Sequence, residues 1–172
     1  MPWRLTNDPY KIWLSEIMLQ QTQVKTVIPY YNKWIKKYPT LESVAKSNID
    51  DLLKIWEGLG YYSRCRNFHK ASIKVFEDYN SKIPEDFDQF KELPGVGEYT
   101  AGAVLSIAFG KKIPAIDTNI LRVMSRILGL KERSKSNLSK IKKNMIDYLN
   151  TEKPGDVNQA LMDLGSMICK NK

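Results

Sequence analysis

Residues 93–104 read LPGVGEYTAGAV. Pro94 and Gly95 break whatever precedes them, and Gly97 stands directly before a run that reads as helix. Gly95 and Gly97 remove side chains from the turn and allow φ > 0 or close backbone approach. The helix beginning near Gly97 presents unpaired N–H groups and the positive end of its dipole. A phosphate oxygen can sit there with no side chain reading sequence. An ordinary corner between two helices is the other reading of such a turn, and the full string is far more specific than a lone G-x-G.

Outward from this turn the chain reads as helix on both sides. Upstream, "IPEDFDQFKEL" is a short helix after Pro84, and a longer one is expected over about Tyr62–Tyr79. Before these, Thr40 and Asn48 are cap candidates, and Gly58 and Gly60 end the segment that Asn48 opens. Val24, Val27, Tyr31, Trp34, Ile35 and Tyr38 fall at helical spacing, and Pro39 stops them. "NDPYKIWLSEIMLQ" opens with Asn7 or Asp8 as cap and Pro9 in the first turn. Downstream, Ile116, Ile120, Val123, Met124, Ile127 and Leu128 form an apolar stripe. Further helices are expected near Lys135–Leu149 and Asp156–Cys169. "LKERSKSNLSKIKKN" reads as a basic, solvated loop and helix face. No alternating run is long enough for a strand, so the fold class is all-α, with two helical segments around a glycine turn resembling a helix-hairpin-helix.

The composition narrows the function. Of the 172 residues 42% are hydrophobic, enough for a packed core, and Lys plus Arg exceed Asp plus Glu by 27 − 19 = 8. That charge favours nucleic acid or an anionic surface as partner. No apolar run approaches the roughly 20 residues that span a bilayer. "MPWRLTNDPY" lacks the apolar core of a signal peptide. The expectation is a soluble, non-secreted chain with no membrane partner. Cys65 and Cys169 form no disulfide framework, which fits a reducing compartment. One histidine, His69, reads as a helix-surface residue and makes a zinc hydrolase or a Ser-His relay improbable.

Two carboxylates stand out. Glu16 lies among Leu14, Ile17, Met18 and Leu19, where desolvation would raise its pKa and suit a general acid. Asp117, in "IPAIDTNILRV", sits at a helix start, where a capping carboxylate is held rigidly. Carboxylates in different environments can divide the acid and stabiliser roles in glycosidic cleavage. On their own, Glu16 also reads as a polar helix edge and Asp117 as a plain N-cap.

The strings "PWR…DPYKIWLSEIMLQQTQV", "WEGLGYYSRCRN", "LPGVGEYTAGAVLSIAFG", "AIDTNILRVMSRI" and "NQALMDLGSMIC" occur in this order. Together they resemble the catalytic core of adenine DNA glycosylases of the MutY type, in the helix-hairpin-helix superfamily that also holds endonuclease III. The resemblance implies two interleaved helical lobes, 21–109 with the hairpin, and 1–20 plus 110–172. It implies base-excision repair: flipping and hydrolysis of adenine mispaired with 8-oxoguanine or guanine in double-stranded DNA, by a monomer in the cytoplasm, nucleoid or nucleus. Glu16 would protonate the base and Asp117 would stabilise the sugar cation. Tyr99 would hold the reacting sugar and Asn119 would position the chemistry. Gln159 would read the flipped adenine, and Gln21 and Tyr61 would wedge into the duplex. Gly95, Val96 and Gly97 would bind backbone phosphate, with a monovalent cation nearby. Glu16 separates the chain from thymine-mismatch relatives. Tyr99 stands where strand-cleaving relatives have lysine, so a glycosylase without efficient lyase activity is implied. Each side chain has a plainer reading: packing aromatics for Tyr61 and Tyr62, exposed or polar helix positions for Gln21 and Gln159. A different superfamily glycosylase and a non-catalytic DNA-binding module stay open as alternatives.

The chain departs from the family at three places. The family's [4Fe–4S] cluster takes four cysteines. Cys169 matches the first, and this sequence cannot supply the others, which favours a catalytic-core fragment over a lineage without the cluster. The domain that recognises 8-oxoguanine has no counterpart, which leaves the preference for 8-oxoguanine over guanine open. Thr118 stands where the family usually has glycine.

Overall fold

The computed structural model describes residues 1–131 and 134–170; of the basic segment 130–144, Glu132 and Arg133 lie outside the described residues. The described residues form helices and no strand. A short 3₁₀ turn, Pro2–Leu5, precedes α1 (Pro9–Leu19), α2 (Val24–Lys37), α3 (Leu41–Ala45), α4 (Ile49–Trp56) and α5 (Ser63–Asp78). Then come α6 (Phe87–Lys91), α7 (Glu98–Phe109), α8 (Thr118–Ile127), α9 (Lys135–Tyr148) and α10 (Pro154–Met167).

Local chemistry accounts for the boundaries. The Asp8 carboxylate accepts hydrogen bonds from the Tyr10 and Lys11 amides, and Pro9 occupies the first position of α1. Thr40 and Ser43 close a reciprocal capping box on α3, and Asn48 caps α4. Asp86, Asp117 and Ser134 cap α6, α8 and α9. Pro29 lies inside α2, which continues through it.

The chain divides into two compact units, Met1–Thr100 and Ala101–Lys172, with the boundary inside α7. Within the first unit α1 packs on α2 and α5. The core of this unit is aromatic. Trp13, Trp34, Trp56, Phe68 and Phe90 are fully buried. Trp13 meets Phe68 and Phe90 edge-on at 4.9 and 5.2 Å, and Trp34 meets Trp56 at 5.6 Å, geometries that suit the ring quadrupoles. The Tyr10 hydroxyl donates to the Tyr38 carbonyl at 2.6 Å and accepts from Trp34 Nε1 at 3.0 Å. In the second unit Ile120, Met124, Ile141, Met145 and Leu149 form the buried centre of α8 and α9, with Leu161 and Met162 of α10 packed on it. Ile127, expected in the apolar stripe, is 54% exposed. His69 is half-buried rather than on the surface, and its Nε2 is enclosed without a hydrogen-bond partner.

Candidate active site

The glycine turn joins α6 to α7. Gly95 takes φ +79, and a Cβ there would lie 2.9 Å from Asn67 Cβ, so both conformation and space require glycine. Val96 donates its amide to the Leu93 carbonyl at 3.0 Å and buries its side chain. Gly95 and Gly97 are exposed, and a Cβ on Gly97 would point into open space. The turn therefore presents bare backbone at the start of α7, the arrangement an anion can approach.

Glu16 lies on α1 and is 7% exposed. The Tyr99 hydroxyl, in the first turn of α7, donates to Glu16 Oε2 at 2.7 Å. A carboxyl group removed from water and bonded by a phenol is held in one orientation, as an acid acting on a single atom must be. The structure thus brings together two predicted site residues that stand 83 positions apart.

Gln21 and Tyr61 are both exposed, and both adopt left-handed backbone, at φ 54 and φ 48. Such a conformation costs a residue other than glycine about 1–3 kcal/mol. Asn80 and Ser81, after α5, share it, so the conformation alone marks only a chain reversal. Gln21 and Tyr61 differ in what lies beneath them. Arg64 is buried and donates to the carbonyls of Ile17 (3.2 Å), Met18 (2.8 Å) and Gln20 at the end of α1. It also donates to those of Leu59 (3.3 Å), Gly60 (3.0 Å) and Tyr61 (3.4 Å) in the turn before α5. Burial lowers its pKa from the ordinary arginine value, and arginine starts so high that the guanidinium stays charged.

In the second unit Asp117 is the N-cap of α8. Its Oδ1 accepts from the Ile120 amide and its Oδ2 from Asn119 Nδ2, both at 2.7 Å. Asn119 Oδ1 in turn accepts from Arg122 Nη2 at 2.8 Å, and Arg122 also donates to the Gly165 and Cys169 carbonyls at 2.6 Å. The carboxylate is fixed through both oxygens at the start of α8. Gln159 is on α10 and is 8% exposed. Beside it Asn158 is fully buried, accepting from the Ala115 amide and donating to Ser106 Oγ and the Ile113 carbonyl, at 3.2, 2.9 and 3.0 Å. It anchors the loop that delivers Asp117.

Arg64, Arg122 and Asn158 are the residues that sequence reasoning passed over. Arg64 and Arg122 look like any other basic helix residue until burial is known. Asn158 is adjacent to the glutamine that the resemblance singled out, and that adjacency was the available signal.

The two cysteines of this sequence cannot by themselves ligate an iron–sulfur cluster. Cys65 is fully buried in α5, where burial pushes its thiol up to about 12. Cys169 Sγ accepts from Arg126 Nη1 at 3.0 Å. Among the described residues no group of three or more His, Cys, Asp or Glu could hold a metal. A [4Fe–4S] cluster requires four thiolates.

Residues 14–147 match the model of the HhH-GPD superfamily of base excision DNA repair proteins. An adenine DNA glycosylase of Buchnera aphidicola subsp. Baizongia pistaciae is 41% identical over 169 residues, which are 98% of this chain and 48% of that protein. The human adenine DNA glycosylase is 39% identical over 183 residues, 98% of this chain and 33% of the relative. The chain thus spans about half or less of the length of these curated relatives. A thermostable thymine-DNA glycosylase superposes with a TM-score of 0.89 at 32% identity, covering all of this chain and 80% of that one. An endonuclease III–DNA covalent intermediate gives 0.81 at 26% identity, covering 95% and 76%. With the glycine turn, the buried Glu16–Tyr99 pair and a family match across most of its length, the chain belongs to the HhH-GPD superfamily of base excision DNA repair proteins.

Proposed function

We propose that this chain carries the catalytic region of an adenine DNA glycosylase, hydrolysing the N-glycosidic bond of adenine mispaired with 8-oxoguanine or guanine in duplex DNA. The observation that carries the reading is the buried Glu16 carboxyl bonded by Tyr99, in a chain whose curated relatives are adenine DNA glycosylases. Gly95, Val96 and Gly97 bind a backbone phosphate, with a monovalent cation beside it. Gln21 and Tyr61 fill the gap left by the extruded nucleotide, offsetting an unstacking cost of a few kcal/mol. Gln159 reads the edge of the flipped base. Glu16 gives its proton to the adenine ring as the bond from C1′ to the base breaks with its electron pair on the base. Asp117, oriented by Asn119, stabilises the cation left on the sugar. Water adds to C1′ and its proton returns to the Glu16 carboxylate, so one water is consumed and adenine leaves. Tyr99 offers no amine for a Schiff base, so the reading is hydrolysis without strand cleavage. The interleaved division into lobes 21–109 and 1–20 plus 110–172, action as a monomer, and residence with the chromosome in nucleoid or nucleus belong to the same proposal.

The test is single-turnover base release from duplexes with A opposite 8-oxoguanine, A opposite G, and T opposite G. Adenine release that falls by about 100-fold or more in Glu16→Gln, with duplex binding retained, supports the acid role. Asp117→Asn tests the stabiliser in the same way. The likeness to a thymine-DNA glycosylase favours a second reading, thymine excision. Release from the T·G duplex alone would establish that reading instead. Binding without any release would leave a DNA-binding module.

A further inference from the structure

We infer that Arg64 is a positioning residue for base extrusion: it locks the turn carrying Gln21 to the turn carrying Tyr61, so that the two exposed side chains act as one rigid wedge. The inference rests on the wedge role proposed above for these two residues.

The argument starts from the carbonyls. Ile17, Met18 and Gln20 end α1, where the last carbonyls have no partner within the helix. Leu59, Gly60 and Tyr61 form the turn between α4 and α5, where Gly58 takes φ +91 and Gly60 φ +76. Local bonds cover part of this demand: the Arg64 amide reaches the Tyr61 carbonyl at 3.0 Å and Thr22 Oγ1 the Gln20 carbonyl at 3.3 Å, but neither joins one turn to the other. One guanidinium serves both: Nη1 faces the end of α1, and Nη2 and Nε face the turn. Its Cζ also lies over the Trp56 and Tyr61 rings, 5.4 and 5.3 Å from their centroids. Trp56 Nε1 donates to the Gly60 carbonyl at 3.0 Å, which fastens the turn to the buried aromatic core.

The outer ends of this clamp matter most. Tyr61 is 58% exposed and Gln21 is exposed, each on left-handed backbone. A side chain that displaces a stacked base must not be pushed back by its own loop. The stiffness that prevents this comes from Arg64, because bonds to a charged donor in a dry site are the strong ones. Lysine cannot replace it, since an ammonium is a point donor without the planar fork.

A purely structural staple would depress all functions together, and this difference provides the test. The chain is mixed with a duplex carrying 2-aminopurine next to an adenine opposite guanine, and unstacking is followed by stopped-flow fluorescence. Affinity is measured in parallel for a duplex with a tetrahydrofuran residue in place of the adenine nucleotide, where no base has to be displaced. The variants are Arg64→Lys, Arg64→Gln and Tyr61→Ala, each checked by circular dichroism. We expect Arg64→Lys to slow unstacking by about tenfold or more, with Arg64→Gln slower still, while affinity for the tetrahydrofuran duplex stays close to that of the wild type. If Arg64→Gln does not fold, the lysine variant decides. Wild-type unstacking in Arg64→Lys, or equal losses on both duplexes, overturns the proposal. If Tyr61→Ala unstacks normally, the wedge reading falls and this inference falls with it. If Tyr61→Ala is slow and Arg64→Lys is normal, only the inference about Arg64 falls.

Discussion

Replacing Gly165 by alanine would test whether α8 and α10 hold the candidate site by direct backbone contact. A Cβ built on Gly165 lies 2.6 Å from Asn119 Cβ and 3.0 Å from both its Cα and its carbonyl oxygen. Carbon atoms rest about 3.5–4.0 Å apart, so the overlap is near ~1 Å. The atoms in the way are the backbone and first carbon of α8, which no rotamer change can move. The helices must part, and Arg122 bridges them: it donates to the Gly165 and Cys169 carbonyls on one side and to Asn119 Oδ1 on the other. Overpacking of this kind costs about 1–3 kcal/mol, and weakening a charged hydrogen bond adds up to about 1.5–3 kcal/mol. Against this, alanine in a helix gains about 1 kcal/mol over glycine. The net expectation is destabilisation by about 1–3 kcal/mol, a fall in Tm of about 3–10 °C for a chain of this size. Because the displaced residue is Asn119, the Asp117–Asn119 bond is disturbed too, and single-turnover base release should fall more than duplex affinity. Urea unfolding of the wild type and Gly165→Ala gives the first quantity, and rapid-quench kinetics gives the second. A variant as stable as the wild type or more so would show that helix propensity outweighs the contact, and would refute the reasoning.

Other perturbations have equally definite outcomes. Tyr99→Phe removes the hydroxyl that bonds and orients Glu16; base release should slow by about tenfold or more with duplex affinity unchanged, and an unaltered rate would remove Tyr99 from the site. Asn158→Ala leaves the Ala115 amide and Ile113 carbonyl without their partner and should cost about 2–4 kcal/mol in urea unfolding; a loss below about 0.5 kcal/mol would show that water or a shifted loop replaces it. Gly97→Ala meets nothing in the free chain, so stability should stay within about 0.5 kcal/mol while duplex affinity falls. Retained affinity would count against close phosphate approach at the turn. The Cys65 thiol, buried and pushed up to about 12, should resist iodoacetamide at pH 8, leaving Cys169 as the alkylated residue by mass spectrometry; rapid labelling of Cys65 would mean that α5 opens readily.

Much of the fold was legible before any coordinates. Caps at Asn7 or Asp8, Thr40, Asn48 and Asp117, breaks at Pro39, Gly58 and Gly60, and apolar residues at helical spacing place most of the helices. Each of these is a local matter of backbone hydrogen bonding or of one face turned from water. The glycine turn belongs to the same class, since its requirement for φ > 0 at Gly95 is written in adjacent residues. The family resemblance pointed to Glu16 and Asp117 by position in a motif.

Partnership was not legible, because periodicity reports which face is buried and never what buries it. Ile127 keeps the spacing of a core residue and is exposed, while His69, a polar residue expected on the surface, is half-enclosed. The Tyr99 hydroxyl reaching Glu16 across 83 residues, the Asn158 amide holding the loop before Asp117, and Arg64 gathering the carbonyls of two distant turns are all products of tertiary packing. A sequence names the donors and acceptors. Only the folded chain, by excluding water from some of them, decides which must find each other.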